Sequence, residues 1–536
     1  MAAVLVGSSV RVPSAALLGH APGVVERGAA AREERLKQWL RGMTKHRQLD
    51  FDTMGFGRGR DGFGMIASGA IDKGSVLAEV PLQAFLSEKT AERCRLVGPM
   101  LRKNDFRPWL TMCAHLLVER SRGKESFWHP YIAALPSVDE LSISHPLLWP
   151  AETIQELLQG SPMLDTIATR LKLCQEDHEA LLTAGIEKFL PGGETLSEGD
   201  VRWASAVLLS RAFSLELDVD DDFDTLCLVP WADMLNHCSS AGEESCLIFD
   251  QDTKTASLEA HKSYSKGDEV FDSYGPALTG SQLFLDYGFV DDENENYAVD
   301  LPAQVLGPVR SSANAALLEA LGLPAGGTLV SIVPEGVDES VLAWTRAAIA
   351  SPRELSAAGW KSDGKYQKAI MYFSEPINRD NECEVLRRLI AACENLWSKY
   401  PTNLEHDLRE LTGGESDMRT TTWARKQAAL RAIVCEKKAL TAGKTVLCGF
   451  LEKLRAGAAL ESLYEVDREE GKFEVRLFVA TKDRSGTSGK NRDAAVHNCG
   501  DFGKRQTLLI EAGRVEIRAQ TTSMLLEWCK GRLSYR

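Results

Sequence analysis

The residues best equipped for chemistry lie between positions 236 and 289. Asn236-His237 comes first, then Gly267-Asp268-Glu269-Val270-Phe271-Asp272-Ser273-Tyr274-Gly275, then Asp286-Tyr287-Gly288-Phe289. Tyr274 and Tyr287 each offer a phenolic hydroxyl, and His237 invites a general-base reading. Further back, Gly62 and Gly64 would let the backbone come close to a bound ligand, because no Cβ stands in the way. Taken singly, each piece is a common structural feature: a strand tyrosine, an Asn-His pair, a turn glycine. Their order and spacing carry the weight.

One motif is a decoy. Gly57-Arg58-Gly59-Arg60-Asp61-Gly62 spells G-x-G-x-x-G. A dinucleotide fingerprint needs a buried strand before it and a helix after it, so that pyrophosphate sits on the helix N-terminus. Here Arg47-Gln48-Leu49-Asp50-Phe51-Asp52 precedes it, and a short apolar strand with a Gly turn follows.

The chain as a whole bounds the possibilities. Its 536 residues exceed one ordinary core, so two or three domains are expected. Hydrophobic content of 44% and charged content of 26% are those of a soluble globular protein. No apolar run approaches the roughly eighteen residues that a membrane span requires. With 62 Lys+Arg against 76 Asp+Glu the net charge is −14, which argues against nucleic acid as the main partner and suits a cationic protein substrate. The 12 cysteines are scattered, the closest pair being Cys238 and Cys246. Without a C-x-x-C ladder, no metal is expected, and buried reduced thiols are the natural reading.

The elements that must position the chemical residues read as follows. Residues 1–30 form a transit-like segment: Met1 to Val25 holds no acidic residue, and Ser8, Ser9, Ser14 and Arg11 punctuate small apolar residues. That composition suits a plastid or mitochondrial address; the alternative is an uncleaved disordered tail, and with it a cytoplasmic location. A helix-prone stretch from Ala31 to Lys45 carries Leu36, Trp39 and Leu40. The glycine cluster Gly55 to Gly64 precedes strands at Met65–Ser68 and Val76–Val80, with Asp72-Lys73-Gly74 as their turn. Residues 88–206 read as a helical insertion, with Leu110, Ala114, Leu117 and Val118 at helical spacing. Strand signals resume at Cys227 and run to about Leu301. Residues 335–455 read as a helical domain: Val385, Leu386, Leu389, Ile390, Cys393, Leu396 and Trp397 share one face, and a second long helix covers about Thr421 to Leu454. In 456–536 alternation returns at Phe473–Val479 and at Val515 and Ile517, after an Ala512-Gly513 turn. The fold class is therefore α+β, a β fold with a helical insertion, then an all-α domain and a small β-rich extension of no assigned role.

These motifs together resemble a known family. Asp61-Gly62-Phe63-Gly64-Met65-Ile66-Ala67, followed by Glu79-Val80-Pro81, looks like the opening of a SET domain. Ser210-Arg211-Ala212-Phe213-Ser214, Pro230-Trp231-Ala232-Asp233-Met234-Leu235-Asn236-His237 and Leu285-Asp286-Tyr287-Gly288-Phe289 are similar to motifs of the plant Rubisco large-subunit lysine methyltransferase family. Glu125-Ser126-Phe127-Trp128-His129-Pro130-Tyr131 fits within the insertion. Asn378-Arg379-Asp380-Asn381-Glu382 and Thr402-Asn403-Leu404-Glu405-His406-Asp407 resemble its substrate-binding domain. The likeness covers about residues 50 to 455, with the SET part at 31–320.

The resemblance implies methyl transfer from S-adenosyl-L-methionine to a protein lysine, the two entering a narrow channel from opposite faces. Asp61, Gly62, Phe63, Gly64, Asn236 and His237 would then bind the cofactor. Tyr287 would be the catalytic residue and would also hold the cofactor. Backbone carbonyls of Ser210 and Asp233 would take weak C–H···O contacts from the methyl carbon. Arg211, Phe213, Asp233 and Tyr274 would bind the substrate. The lysine must react as neutral amine although free lysine has a pKa of about 10.4. Desolvation and the sulfonium charge both favour deprotonation, so no general base is nominated and His237 is read as packing. Asp218-Val219-Asp220-Asp221-Asp222-Phe223-Asp224 and Asp291-Asp292-Glu293-Asn294-Glu295 read as solvated loops, with steering of a basic substrate as the alternative. The expected partner is a stromal protein such as Rubisco large subunit or fructose-bisphosphate aldolase. Rival readings are an actin-type histidine methyltransferase and a catalytically silent SET-like binding module.

Overall fold

The computed structural model describes residues 22–460 apart from 44–50, 61, 219–223, 245–246, 325, 327, 338, 361–366 and 413–419, together with 463, 507–511 and 514–518. The first helix, Pro22–Met43, buries Leu36 and Leu40 completely. After it, the glycine cluster forms strands: β1 (Met54–Gly59) pairs antiparallel with β2 (Gly62–Ala67), Gly57 opposite Gly64 and Gly59 opposite Gly62. A run so rich in glycine reads as loop. Here neighbouring side chains claim the space above it, since a Cβ at Gly57 would lie 2.5 Å from Ile66. Strands β3 (Val76–Pro81) and β4 (Leu86–Ser87) follow.

Helices then occupy Glu88 to Arg211 before β5 (Ala212–Leu215), so Ser210 and Arg211 ride on the last helical turn. The chain continues through β6 (Thr225–Leu228), β7 (Asn236–His237), β8 (Ile248–Asp250), β9 (Thr255–Glu259) and β10 (Glu269–Asp272). Three small sheets result, ordered β1-β2-β10-β7, β3-β9-β8 and β4-β6-β5. The β10–β7 pairing is parallel, Phe271 opposite Asn236. This pairing joins the Asn-His motif to the Gly-Asp-Glu motif.

The expected strand run to Leu301 is interrupted. Gly280–Tyr287 is a helix, opened by a capping box between Thr279 and Gln282 and stopped by Gly288 at φ 80°. Tyr287 is therefore the last residue of a helix, and Tyr274 lies two residues beyond the end of β10 rather than on it.

Strands β11 (Val299–Pro302), β12 (Leu329–Val333) and β13 (Gly336–Val337) make a sheet beside the helical part. There, Arg379–Trp397 buries Val385, Leu386, Leu389, Cys393 and Leu396 against the helix Thr421–Arg455. In the extension, β14 (Thr507–Glu511) pairs with β15 (Arg514–Arg518), Leu508 opposite Ile517; Ala512-Gly513 and Phe473–Val479 lie outside the described residues.

Two cores form. One joins the SET-like sheets to the insertion; the other joins the helical part to insertion residues Trp149, Ile154 and Met163 and to Phe284 and Leu285 of the Gly280–Tyr287 helix. Gly280 touches the long helix directly, since a Cβ there would lie 2.5 Å from the Cys435 sulfur. Among the described residues, no helix is long and apolar enough to cross a membrane.

Candidate active site

Helix Gly280–Tyr287 and the turn after β10 deliver two tyrosines face to face. The rings of Tyr274 and Tyr287 stack with centroids 4.5 Å apart at 24°, and Phe289 stands edge-on to both at 6.3 Å. His237 closes the cluster, 5.2 Å from Tyr274 and 6.2 Å from Phe289. Tyr274 is tied down elsewhere too: its hydroxyl donates to the Leu235 carbonyl (2.8 Å) and its backbone N–H to His237 Nδ1 (3.0 Å). Tyr287 differs. Its hydroxyl makes no hydrogen bond among the described residues.

His237 is buried, and its second nitrogen meets the Ser239 hydroxyl at 3.2 Å. With Nδ1 accepting, Nε2 carries the proton. Burial pushes its pKa down to about 4, which holds the ring neutral. Burial likewise raises both tyrosines well above the ordinary phenol range. Neutral, hydrogen-bonding groups make up this cluster, and His237 is already spent as an orienting acceptor.

Beside the cluster lies the glycine hairpin. Asn236 Nδ2 donates to the Phe63 carbonyl (3.2 Å) and to Glu269 Oε1 (2.8 Å), while the Arg60 N–H donates to Glu269 Oε2 (2.5 Å). A Cβ at Gly64 would fall 2.6 Å from the Asn236 amide nitrogen and onto the Glu269 carboxylate. Gly64 is thus required for space. Gly62 opens β2, and Asp61 lies outside the described residues.

A third group comes from the end of the insertion. Arg211 Nη1 donates to the Asp233 carbonyl (2.6 Å) and stands 3.8 Å from its carboxylate. Tyr131 donates to Asp233 Oδ2 (2.7 Å), while Oδ1 is buried without a hydrogen-bond partner among the described residues. Burial pushes the Asp233 carboxyl up to about 6 against the pull of Arg211 and Tyr131. The turn is bent on purpose: Trp231, fully buried, holds φ 79°, a left-handed value that a bulky residue keeps only where packing over-determines it. Phe56 stacks on it at 6.0 Å. The Tyr274 hydroxyl bonds the Leu235 carbonyl, two residues beyond Asp233, which joins the tyrosine pair to the Asp233 turn. Arg211 uses one lone pair of the Asp233 carbonyl and leaves one. Ser210 sits in the last helical turn, where carbonyls lack intrahelical partners. Phe213, half-buried on β5, makes no ring contact with either tyrosine among the described residues.

Several supporting residues escaped the sequence reading. Arg170, buried on helix Met163–Ala184, grips Asp286 Oδ1 (2.5 Å) and the Leu285 carbonyl, and His145 Nε2 meets the Asp286 carbonyl at 3.2 Å. These contacts fix the backbone next to Tyr287. The second acidic stretch is no solvated loop throughout. Asp291 is buried, pairs with Arg60 (3.0 Å) and accepts from Ser239 (2.7 Å), and Asp292 pairs with Arg431 of the long helix. Of the first stretch, 219–223 lie outside the described residues.

The chain is similar to known proteins in sequence and in fold. Residues 62–275 match the SET domain model and residues 312–440 the Rubisco LSMT substrate-binding model. Over 375 residues the chain is 25% identical to the chloroplastic ribulose-1,5 bisphosphate carboxylase/oxygenase large subunit N-methyltransferase of Pisum sativum, covering 67% of this chain and 72% of that one. It is 24% identical over 395 residues to the chloroplastic fructose-bisphosphate aldolase-lysine N-methyltransferase of Arabidopsis thaliana, covering 71% and 76%. A solved structure of Rubisco LSMT bound to AdoMet superposes with a TM-score of 0.64 at 22% identity, covering 79% of this chain and 93% of that one. The chain belongs to the SET-domain protein-lysine methyltransferases that carry a Rubisco LSMT substrate-binding domain.

Proposed function

We propose that the chain transfers a methyl group from S-adenosylmethionine to a lysine of a plastid protein, with Tyr287 at the reacting centre. The observation that carries this reading is the contrast between the two stacked tyrosines: Tyr274 has its hydroxyl committed to Leu235, whereas Tyr287 has a stacked ring and a hydroxyl with no partner among the described residues. A free donor on a rigid ring is what alignment of reacting groups requires.

The residues present fit the cofactor. Over Gly64, where no Cβ is tolerated, the Asn236 amide and the Glu269 carboxylate meet as polar anchors for it. S-adenosylmethionine supplies a methyl group on a sulfonium. Phe63, Gly64, Asn236 and His237 hold the cofactor through backbone groups, and the Ser210 and Asp233 carbonyls face the electron-poor carbon. Tyr274, Phe213 and Arg211 shape the lysine side. Aromatic walls suit an aliphatic stem and a partly cationic amine. No side chain takes the proton: His237 Nδ1 is occupied and the phenols stay neutral. The amine loses its proton before it reacts, helped by burial and by the neighbouring positive charge.

Residues 335–455 dock the folded substrate. The plastid location rests on the chloroplastic relatives and on the acid-free, serine-containing N-terminus. The test is incubation of plastid stroma with the protein and methyl-labelled cofactor, followed by tandem mass spectrometry. Label on lysine of one or a few stromal proteins is expected. Label on histidine with lysines untouched would overturn the reading in favour of the actin-histidine chemistry named for a 22% identical dog relative. Absence of label with intact cofactor binding would make the chain a silent binding module.

A further inference from the structure

A cluster outside the methyl-transfer site has its own chemistry. His115 and Glu119 stand one turn apart on helix Pro108–Ser121, and Cys94 caps the C-terminus of helix Glu88–Arg93, which packs across it. One donor atom from each of the three lies within 4.8 Å of the others, and His115 Nε2 is 3.9 Å from Glu119 Oε1.

His115 is fully buried, and neither ring nitrogen has a hydrogen-bond partner among the described residues. A neutral imidazole has one N–H and one lone pair. The Trp128 ring stands at 5.2 Å and 83° to it, and an aromatic face takes an N–H at most. The lone pair is left with nothing to bind. A buried polar atom without a partner is costly, and a metal ion is a ligand partner that such a lone pair accepts. Glu119 is also buried, with both oxygens oriented by Arg122 at 2.8 and 3.1 Å, as carboxylate ligands commonly are. Cys94 is half-buried, so the cluster has a way in from solvent.

We propose that Cys94, His115 and Glu119 form a binding site for Zn²⁺. A thiolate with an imidazole selects zinc-type ions over Mg²⁺ and Ca²⁺, which take oxygen ligands. Tetrahedral zinc holds its ligand atoms about 3.3–3.6 Å apart, so the His115–Glu119 separation needs to close by only a few tenths of an ångström. Three protein ligands leave the fourth position to water. The spacing Cys94…His115…Glu119 contains no C-x-x-C, which is why counting cysteines misses it. Bound metal would tie the segment leaving β4 to the central helix of the insertion. Through β4 and β6 it would steady β5, which carries Phe213.

The test uses the full chain, stripped with chelator and titrated with Co²⁺ as a spectroscopic stand-in, then with Zn²⁺ in competition. One Co²⁺ per chain is expected, with a thiolate-to-cobalt charge-transfer band that Zn²⁺ removes. Cys94→Ser should lose the band, and His115→Gln should weaken binding at least tenfold. Zinc should raise the melting temperature of the native chain and leave that of Cys94→Ser unmoved. Circular dichroism checks the fold; if His115→Gln does not fold, Cys94→Ser decides alone. No band at one equivalent in the native chain, or a band that survives Cys94→Ser, would overturn the site.

Discussion

Tyr274 and Tyr287 stack at 4.5 Å, yet among the described residues only Tyr274 has its hydroxyl bonded to the protein, at the Leu235 carbonyl. The pair divides its labour: one hydroxyl anchors its ring, and the other is left for the reaction in the proposed role. Tyr287→Phe keeps the stack and removes that oxygen. Turnover should fall by about a hundredfold or more, while cofactor affinity, read by calorimetry, changes little. Near-normal turnover in the variant would remove Tyr287 from its role.

Arg170 is the residue that fixes the backbone leading into Tyr287. Arg170→Met strands Asp286 as an unpaired buried carboxylate and should cost about 3–5 kcal/mol of stability, measured by urea unfolding. Adding Asp286→Asn should recover part of that loss. If the single variant unfolds like the native chain, the pair is not holding the site.

Phe213 tests the identity of the target. It offers an apolar surface and no partner for a second ring nitrogen of an imidazole. Phe213→Asn should lower kcat/KM for lysine by about tenfold. In the native enzyme the rate should rise between pH 7 and 9, because an amine with a pKa of about 10.4 becomes more deprotonated over that range. A rate flat across it, with chemistry shown to be limiting, would count against an amine nucleophile.

Glu436 gives a pH signature in the helical part. Burial pushes its carboxyl up to about 7 from 4.5, and Tyr400 donates to it at 2.7 Å. Between those two values the folded chain holds a proton that the unfolded chain has released. Its contribution to stability is therefore complete below 4.5 and is lost as pH rises through 7. Glu436→Gln, which stays neutral, should flatten the decline in melting temperature between pH 4.5 and 7. An unchanged decline would assign it to other groups.

What was legible in the sequence followed from local signals. The helix Arg379–Trp397 announced itself through apolar residues at helical spacing, and the Asn-His, glycine and tyrosine motifs converge on one site. The helix Gly280–Tyr287 leaves little periodic trace in the sequence, because eight residues between strands span barely two turns. Its capping box at Thr279 and Gln282 and the stop at Gly288 were the available signs. Arg170 had no local sign at all, since its partner lies 116 residues away in sequence. Tyr131 and Arg211 closing on Asp233 are likewise consequences of tertiary folding.

The contact between Gly280 and Cys435 bears on how freely such an enzyme can be retargeted. The helix that ends in Tyr287 leans on the long helix of the substrate-binding part with no room for one added carbon. The two halves are therefore not interchangeable cartridges. A graft that brings in another protein's docking helices, with any side chain bulkier than cysteine at that point, would press on the helix bearing Tyr287. Changing what the enzyme recognises would then also change how well it reacts, unless position 435 stays small.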